Sequence, residues 1–177
     1  MTAFSKKPVK MRSTDIKAER IFKMKKIASF TIDHTILPKG LYTSRVDGDC
    51  VTYDIRMRLP NKEPVMENGA IHTLEHLIAT FTRNSEFSNS VVYFGPMGCR
   101  TGFYFIVRDS VTPKQVIKLL QDAFAFCAAF DGEVPGVSEK ECGNWRDHNL
   151  DGAKKEAAAM IDVLSGWTEE KLAYPTK

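Results

Sequence analysis

Long apolar runs are missing from this chain. The longest is Ala123–Phe130, against the roughly 20 residues that a membrane-spanning helix needs. No apolar stretch follows the basic start, so the sequence carries no sign of a secretory leader. Internal repeats and low-complexity segments are also lacking. A composition of 43% hydrophobic and 27% charged residues excludes a disordered or collagen-like chain. Cysteines are few: Cys50, Cys99, Cys127 and Cys142 contain no CxxC pair and form no disulfide framework. The 177 residues suffice for one cored domain and fall short of two. The chain reads as cytoplasmic.

Positive charge is scarce once the first 26 residues are set aside. Those residues hold nine Lys or Arg against Asp15 and Glu19, a balance of +7. The remaining 151 hold 16 basic and 20 acidic residues, a balance of −4. The pI of 8.6 therefore belongs to a tail. Without a basic stripe beyond Lys26, no nucleic-acid partner is expected, and no membrane partner either. Residues 1–26 read as a basic arm, disordered or an extension ahead of an alternative start near Met24.

What is present is patterned. Val51–Leu59 alternates apolar with polar residues, which predicts a half-buried strand with Arg56 and Arg58 on its polar face. Ser29–Ile32 reads as a short first strand, and Ser90–Phe94 and Phe103–Arg108 as two more. Asn68 and Gly69 open a helix to about Asn84 with an Ile71, Leu74, Ile78, Phe81 stripe. Thr112-Pro113 with Gln115 is a capping box, and its helix buries Val116, Leu119, Leu120, Ala123 and Cys127 before ending near Gly132. Ser138 with Glu141 repeats the capping box beside Cys142, and a last helix spans about Asp151 to Leu164. Hairpin-like strands with three helices predict a single α+β domain, an antiparallel sheet packed against helices.

Chemistry concentrates in two places. His72-Thr73-Leu74-Glu75-His76 sets two imidazoles one helical turn apart on one face, off the apolar stripe, where they can bind one metal ion and leave Glu75 free for proton transfer. The same pattern suits two surface histidines with a salt-bridging glutamate. It is also the inverted zinc-peptidase signature, whose third ligand is a carboxylate. Here Cys142, beside a predicted helix start, is a soft third candidate. Such a His2Cys set leaves the open position that catalysis requires, whereas a structural metal module would want a fourth protein ligand, for which His148 is available. The second place is Cys99 in the loop Gly95–Gly102, where glycines leave the thiol approachable and Arg100 is a neighbouring cation. A structural cysteine at a turn fits that loop equally. Cys50 and Cys127 read as inert.

Taken in order, His72–His76, then Pro96-Met97-Gly98-Cys99-Arg100-Thr101-Gly102, then Cys142-Gly143 with Arg146-Asp147-His148 and Gly152-Ala153-Lys154, closely resemble the S-ribosylhomocysteine lyase (LuxS) family. Ser29-Phe30, Asp33-His34, Asp54-Ile55-Arg56 and Pro60-Asn61 extend the resemblance toward the N-terminus, while Gly95 stands where a serine is common. The resemblance implies a catalytic domain over residues 27–177, homodimeric, with active sites at the subunit interface. It implies one divalent metal per subunit, Fe2+ with Zn2+ or Co2+ as replacements, held by His72, His76 and Cys142. Cys99 and Glu75 would be catalytic, and Ser29, His34 and Arg56 would bind substrate. The implied reaction, in the activated methyl cycle, splits S-ribosylhomocysteine into homocysteine and 4,5-dihydroxy-2,3-pentanedione, the autoinducer-2 precursor of quorum sensing. A thioether leaves readily only with a carbonyl β to it, so carbonyl migration must precede β-elimination.

Overall fold

The computed structural model describes residues 25–176. Most of the expected basic arm, residues 1–24, lies outside the described residues. The chain divides into a unit of residues 1–32 and a unit of residues 33–177. Within the first, Ala28–Phe30 forms a single 3-10 turn in which the Phe30 N–H donates to the Ile27 carbonyl at 3.0 Å. The expected strand at Ser29–Ile32 does not form. Its polar–apolar alternation runs over only four residues, and the 3-10 turn takes up the start of the segment.

The second unit holds a four-stranded antiparallel sheet and three helices among its described residues. Strands β1 (Gly40–Asp47), β2 (Cys50–Arg56), β3 (Val91–Pro96) and β4 (Gly102–Arg108) lie in the order β1-β2-β4-β3. The sequence reading missed β1 (GLYTSRVD), whose N-terminal half is buried and C-terminal half exposed instead of alternating. Strand β2 ends at Arg56, earlier than expected. Beyond it the Met57 and Arg58 N–H groups leave the ladder and donate to the Thr101 carbonyl at 2.9 and 3.1 Å.

Helix α1 (Asn68–Arg83) begins with Glu67, whose carboxylate accepts from the Gly69 and Ala70 N–H groups, both at 2.9 Å. These contacts satisfy amides that the helix itself leaves open. Helix α2 (Pro113–Ala129) carries the expected capping box, and Cys127 is fully buried. Burial pushes the Cys127 thiol up to about 12, which makes it inert core. Helix α3 (Leu150–Leu164) is capped by Asn149. The Ser138 hydroxyl does donate to Glu141, but no helix follows. Turns follow instead at residues 139–141 and 143–146, so Cys142 does not sit at the start of a helix as expected.

One sheet face forms the core. Tyr53, Ile55, Phe103, Phe105 and Phe94 meet Leu74, Leu77 and Ile78 of α1 and Leu120 and Phe124 of α2. At fully buried Phe103 or Phe105, truncation to Ala removes about 3–5 kcal/mol. The other face carries Tyr42, Asp54, Arg56 and Tyr104, which register places side by side: Tyr42 opposite Asp54, and Asp54 opposite Tyr104. Arg56 thus lies on the polar face that the alternation predicts, but that face is covered. The residue is 2% exposed, and Asp54 1%, because aromatic side chains cover that face.

Candidate functional site

The first cluster is His72, His76, Cys142 and His148, whose ligand-type atoms all lie within 4.8 Å of one another. Helix spacing supplies the first two. The turn segment ahead of α3 supplies Cys142 and His148, and the Asn149 N–H, donating to the Gly69 carbonyl at 3.1 Å and to the Thr73 hydroxyl at 3.0 Å, seats residues 147–149 on the first turn of α1.

Hydrogen bonds orient every ring. A carbonyl can only accept, so the His72 Nδ1–H donates to the Asp147 carbonyl (2.9 Å) and the His76 Nδ1–H to that of Pro135 (2.6 Å). Gly136, at φ 75°, permits the bend beside the His76 ring. Thr73 has one hydroxyl proton and gives it to the Gly69 carbonyl at 2.8 Å, so at 3.2 Å it accepts from His148 Nδ1–H. All three imidazoles thus hold their proton on Nδ1 and present a bare Nε2. That of His148 is buried and without a hydrogen-bond partner. Burial, with the adjacent His72 and His76, holds His148 below the ordinary imidazole value, so it is neutral at pH 7. Cys142 Sγ lies 3.3 Å from His72 Nε2 and accepts from the Asn144 N–H at 3.4 Å. Three inward lone pairs and a thiol are the donor set of a borderline-soft divalent metal. The carbonyls behind the rings supply the outer support that such sites use. Cys142 also lines an open recess of about 230 Å3 with Gly143, Asn144, Trp145 and Arg146.

Glu75 is half-buried on the same helix and makes no hydrogen bond or ion pair to a described residue.

The second cluster surrounds Cys99, which is exposed. Its loop is pinned, not loose: Met97 N–H donates to Gly102 O and Arg100 N–H to Met97 O, both at 2.9 Å, and Met66 N–H to Arg100 O at 3.1 Å. Gly102 is required by close approach, since a Cβ there would lie 2.1 Å from the Ile55 carbonyl oxygen. The cation beside Cys99 is not Arg100, whose guanidinium turns to Asn68. Arg56 fills that place. Its Nη1 donates to Thr101 Oγ1 at 2.6 Å, and Thr101 Oγ1 lies 3.1 Å from Cys99 Sγ. Burial pushes the Cys99 thiol up, but the Thr101 hydrogen bonds and the Arg56 charge outweigh it and leave the thiol below its ordinary value. Arg56 Nη2 in turn donates to Asp54 Oδ2 at 2.5 Å.

Of the expected substrate contacts, Arg56 stands at the Cys99 cluster. His34 lies in a turn where the Asp33 carboxylate accepts from Thr35. Ser29 lies in the separate unit of residues 1–32. Of the residues now seen at the two clusters, His148 was weighed only as an alternative ligand. Asp54 was readable as the opposite charge two positions from Arg56 on one strand face. Thr101 had only its adjacency to Cys99.

Comparison with known proteins follows these positions. Residues 27–171 match the family model for S-ribosylhomocysteinase (LuxS). The chain is 50% identical over 157 residues to the S-ribosylhomocysteine lyase of Borrelia garinii subsp. bavariensis, covering 86% of this chain and all of that protein. It is 48% identical over 160 residues to the enzyme of that name from Phocaeicola vulgatus (87% of this chain, 99% of that one). Against the one from Clostridium beijerinckii it is 49% identical over 158 residues (86% and 99%).

Proposed function

Because the chain belongs to the S-ribosylhomocysteinase (LuxS) family, we propose that it is a carbon–sulfur lyase that cleaves S-ribosylhomocysteine to homocysteine and 4,5-dihydroxy-2,3-pentanedione. The observation that carries this reading is the convergence of His72, His76 and Cys142 with bare nitrogens facing inward. These three would hold one divalent metal per subunit, Fe2+ in the cell with Zn2+ or Co2+ able to replace it. The metal supplies Lewis acidity toward the substrate's carbonyl and hydroxyl oxygens.

The chain's own residues move the protons. Cys99, its thiol made more acidic by Thr101 and Arg56, removes a proton as thiolate from the carbon next to the sugar carbonyl and returns one at the neighbouring carbon. Glu75, unpaired beside the two histidines, shuttles protons between the oxygens. Once the carbonyl stands β to the sulfur, loss of the intervening proton expels homocysteine thiolate. Ser29, His34 and Arg56 hold the substrate's polar groups. We place the catalytic domain in residues 27–177, with 1–26 as an arm, and assign the protein to the cytoplasm. Among the described residues no helix is long and apolar enough to cross a membrane. Its product would feed autoinducer-2 synthesis.

Anaerobic incubation with S-ribosylhomocysteine should release free thiol in step with substrate loss; no thiol release by metal-loaded protein would end this reading. The active site is shared between two chains of a homodimer, with His34 contributed by the neighbour. Mixing inactive Glu75→Gln and His34→Ala chains should then restore activity in the heterodimer, and no recovery would place both residues in one chain's pocket.

One observation favours a second reading. His148 Nε2 completes a four-donor set, the number that closes a structural site. A structural metal contributes folding energy outright, so chelation would unfold the domain. Under the lyase reading the chelated chain stays folded and only turnover is lost. The cluster includes no carboxylate, which disfavours a zinc peptidase.

A further inference from the structure

The C-terminal segment reaches back across the sheet. The Trp167 indole N–H donates to the Leu41 carbonyl at 3.1 Å, Leu172 is buried in the core, and Tyr174 then stacks on Tyr42 with ring centroids 5.1 Å apart and planes 20° apart. The Tyr174 hydroxyl donates to Asp54 Oδ2 at 2.8 Å, the same oxygen that accepts from Arg56 Nη2. Tyr174 lies past residue 171, where the match to the family model stops.

Two buried atoms beside this contact have no hydrogen-bond partner: Asp54 Oδ1 and Arg56 Nε. A fork-to-fork pair, with Nε on Oδ1 and Nη2 on Oδ2, would satisfy both and is the arrangement these groups ordinarily favour. Something therefore holds Arg56 off that fork. Two partners compete for the guanidinium and the carboxylate: Thr101, which takes Nη1, and Tyr174, which loads Oδ2 with a second donor. The consequence reaches the sulfur. Arg56 only donates, so the Thr101 oxygen accepts from it and keeps its single proton for Cys99 Sγ, 3.1 Å away.

We propose that Tyr174 is a positioning residue for Cys99: docked on Asp54, its hydroxyl holds Arg56 in the orientation that reaches Thr101, so that Thr101 donates to the sulfur. Without that hydroxyl, Arg56 turns to complete the fork with Asp54, Nη1 leaves Thr101, and the thiolate loses its donor. The ionisable groups facing this chain of contacts are Asp54 and Arg56 from β2, Tyr42 from β1, Tyr104 from β4, and Cys99 itself. The inference rests on the lyase reading only for its effect on turnover, since the thiol's acidity is measured without substrate.

The test is the pH dependence of iodoacetamide alkylation at Cys99 in the full chain, followed by mass on the peptide that carries it. Tyr174→Phe keeps the ring stacked on Tyr42 and removes only the hydroxyl. It should lower the alkylation rate at neutral pH about threefold and leave the high-pH plateau unchanged, the pattern of a raised thiol pKa. Thr101→Val should give the same displacement, and the double variant no more than either alone, because both cut one chain of contacts. Turnover at neutral pH should fall by the same factor in kcat with KM unchanged. A Tyr174→Phe profile superimposed on that of the unaltered protein overturns the proposal, and so do effects that multiply in the double variant. If neither protein turns over S-ribosylhomocysteine, the lyase reading fails while the alkylation result still decides the role of Tyr174.

Discussion

The two clusters are built on opposite electrostatic plans. Around His72, His76 and His148 the groups are imidazoles aimed by hydrogen bonds, two of them to backbone carbonyls, and their ligand-type nitrogens lie close together. Around Cys99 a buried ion pair, Asp54 with Arg56, is relayed through Thr101 to an exposed thiol. A ligand set needs lone pairs without competing protons, so uncharged rings in a fixed tautomer serve it. A proton carrier needs an acidity matched to its task, which a nearby cation in a low-dielectric setting supplies. Each plan forgoes what the other uses.

The comparison can be broken most completely at the ligands. Cys142→Ala and His72→Ala should reduce bound metal from one per chain to background by elemental analysis, and activity with it. Cobalt-substituted Cys142→Ala should lack the thiolate-to-metal charge-transfer band; metal retained in full would remove Cys142 from the set. The next largest effect falls on turnover alone. Cys99→Ala and Glu75→Gln should load metal normally and lose about 10²- to 10⁴-fold in kcat, the usual contribution of acid–base groups. Ordinary turnover in either would erase the division between the clusters.

Stability separates them at a smaller scale. Asp54→Asn leaves the Arg56 charge buried without its counter-ion and should cost about 3–5 kcal/mol in denaturant unfolding. In the histidine cluster, Thr73→Val should weaken metal binding by about 10- to 100-fold, because it removes an acceptor that seats Asn149 and with it the Asp147 carbonyl behind His72.

The smallest effect is in pH. The folded state lowers the Cys99 pKa, so its thiolate adds stability that is fully present above the ordinary thiol value. That contribution is lost as pH falls through the lowered value. Alkylation of Cys99 should therefore reach half its plateau rate below the pH at which a free cysteine does. A midpoint at or above that of free cysteine would mean that Arg56 does not act on the sulfur.

Legibility followed the range of the interactions. Helix α1 and its histidine pair were readable because i, i+4 geometry is local, and the capping box of α2 because its partners lie three residues apart. Strand β1 was not, since its burial changes from one end to the other, and only pairing with β2 makes it a strand. The Ser138–Glu141 pair shows the limit of a local signal. Its hydrogen bond forms, but the turns that follow carry Cys142 to His72, and that long-range contact prevails over helix formation.

By itself, the sequence determined the α+β class, the metal helix, the accessible Cys99 loop and the resemblance that names the family, all of which rest on residue types at short or ordered spacings. Tertiary structure alone decided which cation faces Cys99, Arg56 instead of the adjacent Arg100, because a left-handed backbone at Arg100 (φ 57°) sends that side chain to Asn68. It also decided that His148 joins His72 and His76, and that Tyr174 reaches Asp54 from 120 residues away. Contacts across such separations depend on how the sheet and helices close on one another, which no local pattern encodes.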